Sequence, residues 1–327
     1  MTTQTTSAIT IRPFDGEYAQ LIAIQKAIDP DEGRSEENWR FDDESWRHDR
    51  FFKERYVAEG PDGRVIGWMQ VFHMPWQFHP EKYRLSLDVH PAEQRKGVGS
   101  ALYERAAEIV RSRGGKTLRT DTQETRTAAI DFLTHRGFEE IQRYWESRLE
   151  VAAFDFEPFS TAEGRAASEG ITLTTMAAEL AQRGPTEEML RAIYEMEVAA
   201  FMDVPFPDPA TAFHYDDWKK WTLESPNRLD EAYFLAKDGE KYVGVSNMHT
   251  NPEHPGVIFQ GFTGVIREYR GKGVAMALKM QTVKYARANG YREIRTGNNT
   301  RNRPMLRINE AMGFVKQPVW IEYEKSL

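Results

Sequence analysis

Apolar positions along this chain recur with two periods, and the switches between them mark out its elements. Ile9 to Arg12 alternates as a short strand does, and Tyr18 to Ile28 carries apolar residues at helical spacing. Tyr56 to Phe72 reads as two strands broken at the turn signal Pro61-Asp62-Gly63, and a further strand runs from Tyr83 to Val89. Val98, Ala101, Leu102, Arg105, Ala106 and Ile109 then follow i, i+3, i+4, i+7 spacing. A helix is therefore expected to open in the glycine-rich stretch before them and to stop near Gly114-Gly115. Lys116 to Asp121 reads as a strand, Thr127 to His135 as a helix, and Phe138 to Val151 as a closing strand region.

The same course is run twice. Gln94-Arg95-Lys96-Gly97-Val98-Gly99 recurs as Arg270-Gly271-Lys272-Gly273-Val274-Ala275, 176 positions later, and this separation also links Val89 to Val265, Gly114 to Gly290, Thr120 to Thr296 and Gly137-Phe138 to Gly313-Phe314. A repeat held in register over so long a stretch indicates a duplicated domain. In the second copy Asp238-Gly239 is the hairpin turn, Val257 to Val265 the strand before the glycines and Val274 to Ala288 the helix after them. Ala152 to Gly170, rich in Ala, Ser, Glu and Gly, has no sustained periodicity. The expected domains are residues 1–151 and 171–327, joined by a linker at 152–170.

Composition narrows the classes. The 327 residues include no cysteine, which excludes disulfides and thiolate chemistry, and no apolar run approaches the ~20 residues of a membrane span. With a polar N-terminus, a cytoplasmic protein is expected. Lys plus Arg (43) against Asp plus Glu (50) gives a net charge of −7, which disfavours a nucleic-acid partner and favours a small, cationic one. The eight histidines form no metal signature, and Asp29, Asp31 and Gly33 do not keep calcium-loop spacing, so no metal is expected. Oligomeric state is not encoded in any of these patterns.

A strand ending in valine, a Gln/Arg-x-x-Gly-x-Gly/Ala loop and an amphipathic helix suit a pyrophosphate. Glycines allow close backbone approach, and the free N–H groups and dipole of the helix N-terminus favour an anion. In the two copies the loop residues are Gln94, Arg95, Lys96, Gly97, Val98, Gly99 and Ser100, and Arg270, Gly271, Lys272, Gly273, Val274 and Ala275. These motifs resemble the Gcn5-related N-acetyltransferase (GNAT) superfamily, and the chain as a whole resembles mycothiol synthase-like two-domain acetyltransferases. The resemblance implies an α/β (α+β) fold: two tandem acyl-CoA N-acyltransferase domains, each a mixed, mostly antiparallel sheet flanked by helices. It implies acetyl-coenzyme A as cofactor, with its pyrophosphate on the loops and its pantetheine arm beside Leu87, Asp88 and Val89 in the first copy and Thr263, Gly264 and Val265 in the second.

The resemblance further implies an Asn before the next helix and a Tyr four residues ahead of the Gly-Phe pair. The second copy has Asn302 at the first position and Asn309 at the second, whereas the first copy has Arg126 and Leu133. Asn302 is thus a cofactor-side candidate, and Asn309 a candidate for orienting the thiol or a water. Tyr323 and Tyr269 are the tyrosines the second copy offers near its loop and closing strand. Asp203 and Asp208, in a proline-rich stretch, are candidates for receiving a cationic amine, and His254 or His249 for taking its proton. The function expected is acetyl transfer from acetyl-coenzyme A to a primary amine of a small molecule by direct attack, with the second copy carrying the chemistry and both loops able to hold a pyrophosphate. The rivals are a non-catalytic acyl-coenzyme A sensor or structural protein, and an aminoacyl transferase using charged transfer RNA.

Overall fold

The computed structural model describes residues 9–31 and 33–327; most of the polar N-terminal segment and Glu32 of the acidic run lie outside the described residues. The chain forms two compact units. Unit 1 runs to Ile141 and takes in Ile321–Leu327 from the far end of the sequence, and unit 2 is Gln142–Trp320.

Unit 1 begins with β1 (Thr10–Pro13), α1 (Tyr18–Ile28), α2 (Glu36–Glu44), β2 (Lys53–Glu59), β3 (Val65–Phe72) and β4 (Lys82–Val89). It continues with α3 (Val98–Ser112), β5 (Thr117–Gln123) and α4 (Thr127–Thr134). β1 to β4 form an antiparallel run, β5 adds to β4 in parallel, and the chain's last strand lies beside β5. Apolar side chains of α1, α2, β2 and β3 make one core, in which Trp39 meets Trp68 edge to face with ring centroids 5.5 Å apart.

The rest of the chain follows the same plan: β6 (Glu139–Glu150), α5 (Ala162–Ser168), β7 (Ile171–Thr175), α6 (Met176–Arg183), α7 (Glu187–Phe201), α8 (Tyr215–Leu223), β8 (Arg228–Asp238), β9 (Lys241–Thr250) and β10 (Val257–Val265). Then come α9 (Val274–Ala288), β11 (Glu293–Asn299), α10 (Arg303–Ala311), β12 (Val315–Lys316) and β13 (Trp320–Ser326). The unit 2 sheet runs β6-β11-β10-β9-β8-β7, with the short β12 also on β6. Thr175 and Thr186 cap α6 and α7 through their hydroxyls, which accept from Ala178 and Met189 N–H. The stretch expected as a linker holds α5.

The closing strands are exchanged. From Tyr144 to Glu150, β6 pairs antiparallel with β11 of unit 2, although it ends the first copy of the repeat. β13, which ends the second copy, belongs to unit 1 from Ile321 onward. There Arg84 Nη1 donates to Glu322 Oε1 (2.5 Å), Arg119 Nε to Glu324 Oε2 (2.6 Å), and Lys325 Nζ to the Tyr103 hydroxyl (2.7 Å). The two strands stand one repeat apart and fill equivalent slots, so local patterning alone does not distinguish which unit each will join.

Candidate functional site

Both glycine loops take the conformation an anion site needs. Gly97 (φ 91°) and Gly273 (φ 84°) occupy the N-cap positions of α3 and α9 in the left-handed region, and no side chain caps either helix. The first N–H groups of each helix are therefore left for a ligand or solvent. The first motif residue ties the loop to its strand: Gln94 Nε2 donates to Val89 O (3.1 Å), and Arg270 Nε to Val265 O (2.8 Å). The loops differ one residue on, where unit 2 has Gly271 (φ 80°) and unit 1 has Arg95 (φ 62°), the single non-glycine with positive φ among the described residues. A side chain there costs backbone energy that glycine does not. Arg165 of α5 also reaches the second loop, donating to Gly271 O (2.9 Å), and Lys272 lies 3.6 Å from Glu169.

Beyond the loop, each sheet opens. β10 pairs in parallel with β11 only from Val257 to Phe259, and β4 with β5 only from Lys82 to Arg84; past these residues the strands diverge. In unit 2 β10 also carries a bulge between Gln260 and Thr263, where its pairing with β9 shifts register. Asn247 Oδ1 holds the bulge by accepting from Phe262 N–H (2.8 Å), and a Cβ on Gly261 would lie 2.3 Å from that same oxygen. Any side chain there would have to displace the Asn247 carboxamide that holds the bulge.

A pocket of about 370 Å³ opens at the bulge. Gly261, Phe262 and Thr263 form one wall and Thr296 to Asn299 the other; Gln142 and Tyr144 come from β6, Val204 and Phe206 from the α7–α8 loop, and Asn302 and Met305 from the start of α10. Lys279 of α9 lies at its base, 1% exposed. Its Nζ donates to Gln260 Oε1 (2.8 Å) and sits 4.8 Å from the Phe314 ring centroid. Burial pushes the Lys279 ammonium down to about 7. Gln260 in turn donates to Ser246 (2.6 Å) and Thr263 (3.1 Å).

The equivalent positions in unit 1 carry charged side chains. β4 pairs with β3 from Arg84 to Val89 without a register shift. Asp121 stands one repeat before Gly297, and Arg84 bridges it to Glu322 across the strands. Arg126, at the position of Asn302, pairs with Asp29 (2.8 Å). Asp88, at the position of Gly264, is lifted by desolvation to about 6, with Asp121 adding to the rise and Arg126 opposing it.

The sequence-derived candidates separate accordingly. Asn302 caps α10 by accepting from Met305 N–H (3.4 Å) and lines the pocket with Thr263. Asn309 is buried behind them; its Nδ2 donates to Asn298 Oδ1 (2.6 Å), and its own Oδ1 is buried without a partner. Asp203 is outside the pocket lining. The Arg267 guanidinium, with Arg270 beside it, holds its carboxyl at about 2, so it ties the α7–α8 loop to the glycine loop. His254, packed edge-on to Phe259, sits at the end of β10 away from the glycine loop. Tyr269 donates to Asp238 (2.8 Å), Tyr323 lies in unit 1, and neither lines the pocket. Lys279, Tyr144 and Arg165 were missed in the sequence. So was Glu197, buried under the α7–α8 loop, which accepts from Trp218 Nε1 and the Tyr233 hydroxyl and is pushed by burial up to about 7. Among the described residues no three His, Cys, Asp or Glu side chains group as a metal site, and no helix is long and apolar enough to cross a membrane.

The comparisons with known proteins agree with this fold. Residues 19–138 and 190–314 match the Acetyltransferase (GNAT) family. The chain is 24% identical over 252 residues to mycothiol acetyltransferase of Geodermatophilus obscurus, covering 73% of each protein. The tandem GNAT protein from the clavulanic acid biosynthesis pathway, solved without AcCoA, superposes with a TM-score of 0.72 at 18% identity over 98% of both chains. A GCN5-related N-acetyltransferase from Sphaerobacter thermophilus gives 0.69 at 18% identity over 99% of this chain and 97% of that one. With a family match in each half, and a fold of mixed, mostly antiparallel sheets flanked by helices, the chain belongs to the Acetyltransferase (GNAT) family and is an N-acetyltransferase, in a family whose members use acetyl-coenzyme A.

Proposed function

We propose that unit 2 transfers an acetyl group from acetyl-coenzyme A to a primary amine of a small molecule, and that unit 1 does no chemistry. The observation that carries this is the open pocket at the β10–β11 divergence, set against the ion pairs that bridge the strands at the β4–β5 divergence. In this reading Gly271, Gly273 and the first turn of α9 hold the pyrophosphate, with Lys272 and Arg165 adding charge at the rim. The bound cofactor supplies a thioester carbonyl open to attack. Main-chain groups of the bulge align it, and Val204, Phe206 and Phe262 exclude water on the side where the acceptor enters.

No carboxylate lines the pocket among the described residues, so nothing there holds an acceptor as its ammonium. An alkylamine with a pKa near ~10 must react as the free base, and a carboxamide-rich lining without acidic groups favours that form. With Asp203 taken by two arginines, the acceptor is a neutral amine of a polar small molecule in the pocket, rather than a cation held by acid residues. The relative named mycothiol acetyltransferase is consistent with such an acceptor. Thiol release from acetyl-coenzyme A across a panel of amines tests the reading: turnover that is lost on Ala275→Glu supports it, while tight binding with no turnover for any amine would favour the sensor. A gel shift at low salt tests the transfer-RNA rival, for which the structure offers no particular support.

A further inference from the structure

Amide formation from a thioester leaves sulfur with an electron pair and a proton requirement. Among the described residues lining the unit 2 pocket, Lys279 is the one side chain able to carry a positive charge. Its position also assigns it to one side of the reaction. Gln260 and Thr263 bond to each other, and Gln260 to Lys279, on the α9 face of β10; Phe262 points the other way, its ring 6.1 Å from Phe201 of α7. The α9 face is where the pyrophosphate loop begins, and the α7 face carries Val204 and Phe206. If unit 2 is the catalytic half, as argued above, the cofactor's sulfur lies on the Lys279 side and the acceptor on the other.

We propose that Lys279 is a catalytic residue that receives the departing thiolate. The amine nitrogen bonds to the carbonyl carbon, the C–S bond breaks with its electron pair going to sulfur, and Lys279 Nζ gives that sulfur a proton. Lys279 is left neutral, and it regains a proton from the one released as the attacking amine becomes an amide. The net change is amine plus thioester to amide plus thiol.

The surroundings favour this role. Gln260 from β10 and the Phe314 ring beyond α10 face Nζ, Thr282 lies nearby on α9, and no charged group offsets the cost of burial. Holding an ammonium there without a counter-charge is costly, and a thiolate beside Nζ supplies one, so the departing sulfur is stabilised as it forms and Nζ is placed to give it a proton. The lysine was silent in the sequence because it stands between Leu278 and Met280 in a helix whose other apolar residues simply pack.

The test uses coenzyme A itself, whose thiolate absorbs in the ultraviolet, bound to the full-length protein and titrated with pH. Wild type and Tyr144→Phe should lower the midpoint of the bound thiol by ~1 unit or more relative to free coenzyme A, and Lys279→Met should abolish that shift. Identical titrations in wild type and Lys279→Met, or a shift lost with Tyr144→Phe instead, would overturn the proposal. A second measurement needs no variant: by carbon-13 NMR of the lysine side chains, coenzyme A should raise the Lys279 midpoint and desulfo-coenzyme A should not. A response to both ligands or to neither would also overturn it. Failure of coenzyme A to bind wild type would instead remove the reading of unit 2 on which the proposal rests, a result distinguishable from binding without a thiol shift.

Discussion

Units 1 and 2 share a scaffold and differ in what occupies the gap between two strands. Each has a parallel strand pair that separates after three residues, and each has a glycine at the N-cap of the helix that follows. In unit 2 the gap holds a bulge, a pocket and a buried lysine; in unit 1 the corresponding positions carry Asp88, Asp121 and Arg126, with Arg84 spanning the strands. The glycine loop is determined by backbone conformation and survives in both. The pocket depends on side chains from several elements, and several of the equivalent positions in unit 1 carry charged side chains instead. An intact cofactor motif therefore does not imply an intact site.

The largest effect expected is on turnover. Lys279→Met should lower kcat by ~10²- to 10⁴-fold while leaving the acetyl-coenzyme A KM within a few-fold. Tyr103→Phe, at the same position in unit 1, should leave both unchanged in steady-state kinetics. An aryl thioester, whose thiol leaves without a proton, should restore much of the Lys279→Met rate; absence of rescue would argue that the lysine only shapes the pocket.

Next comes the bulge. Gly261→Ala places a Cβ against Asn247 Oδ1 and should reduce kcat/KM by ~10-fold or more, with a stability loss of ~1–3 kcal/mol read from urea melts. Asn302→Ala should weaken cofactor affinity. Arg126→Ala, which strips the partner from Asp29 in unit 1, should cost ~1 kcal/mol or less of stability and leave turnover intact. If Arg126→Ala abolished turnover instead, the roles of the units would be reversed.

The smallest effect is a pH signature of stability. Lys279 is held below its unfolded value, so its contribution to stability is greatest above the unfolded pKa of ~10.4 and is lost as pH falls towards about 7. Lys279→Met should therefore melt several degrees higher than wild type near pH 6.5, and the difference should narrow towards pH 9.5 in thermal scans. A constant difference across that range would mean the lysine is not desolvated as described.

Much of this was legible in the chain. Val257–Val265 and Val274–Ala288 coincide with the elements expected from periodicity, because a buried strand and a helix with a wide apolar face carry their own patterns. The glycine loops were equally readable, since positive φ restricts residue choice. Strand exchange was not, because β6 and β13 are equivalent within the repeat; this kept Tyr144 out of view and drew attention to Tyr323. Gly261 was a readable clue, aligned as it is with Leu85 of the first copy, but its meaning depends on Asn247 standing across the sheet. Asp203 looked free to bind an amine because its partners, Arg267 and Arg270, are more than sixty residues away in sequence.

The central claim is that only unit 2 keeps a complete cofactor cleft, and calorimetric titration with acetyl-coenzyme A tests it most directly in the matched variants Ala275→Glu and Gly99→Glu. Each puts a carboxylate in the first turn of its helix, where it favours the helix dipole but repels a pyrophosphate. The two loops taken alone suggest two binding equivalents; the ion pairs bridging the unit 1 cleft support one. Wild type should therefore bind one equivalent tightly, Ala275→Glu should lose it and Gly99→Glu should retain it. Two equal sites in wild type, or binding lost with Gly99→Glu and kept with Ala275→Glu, would contradict the account.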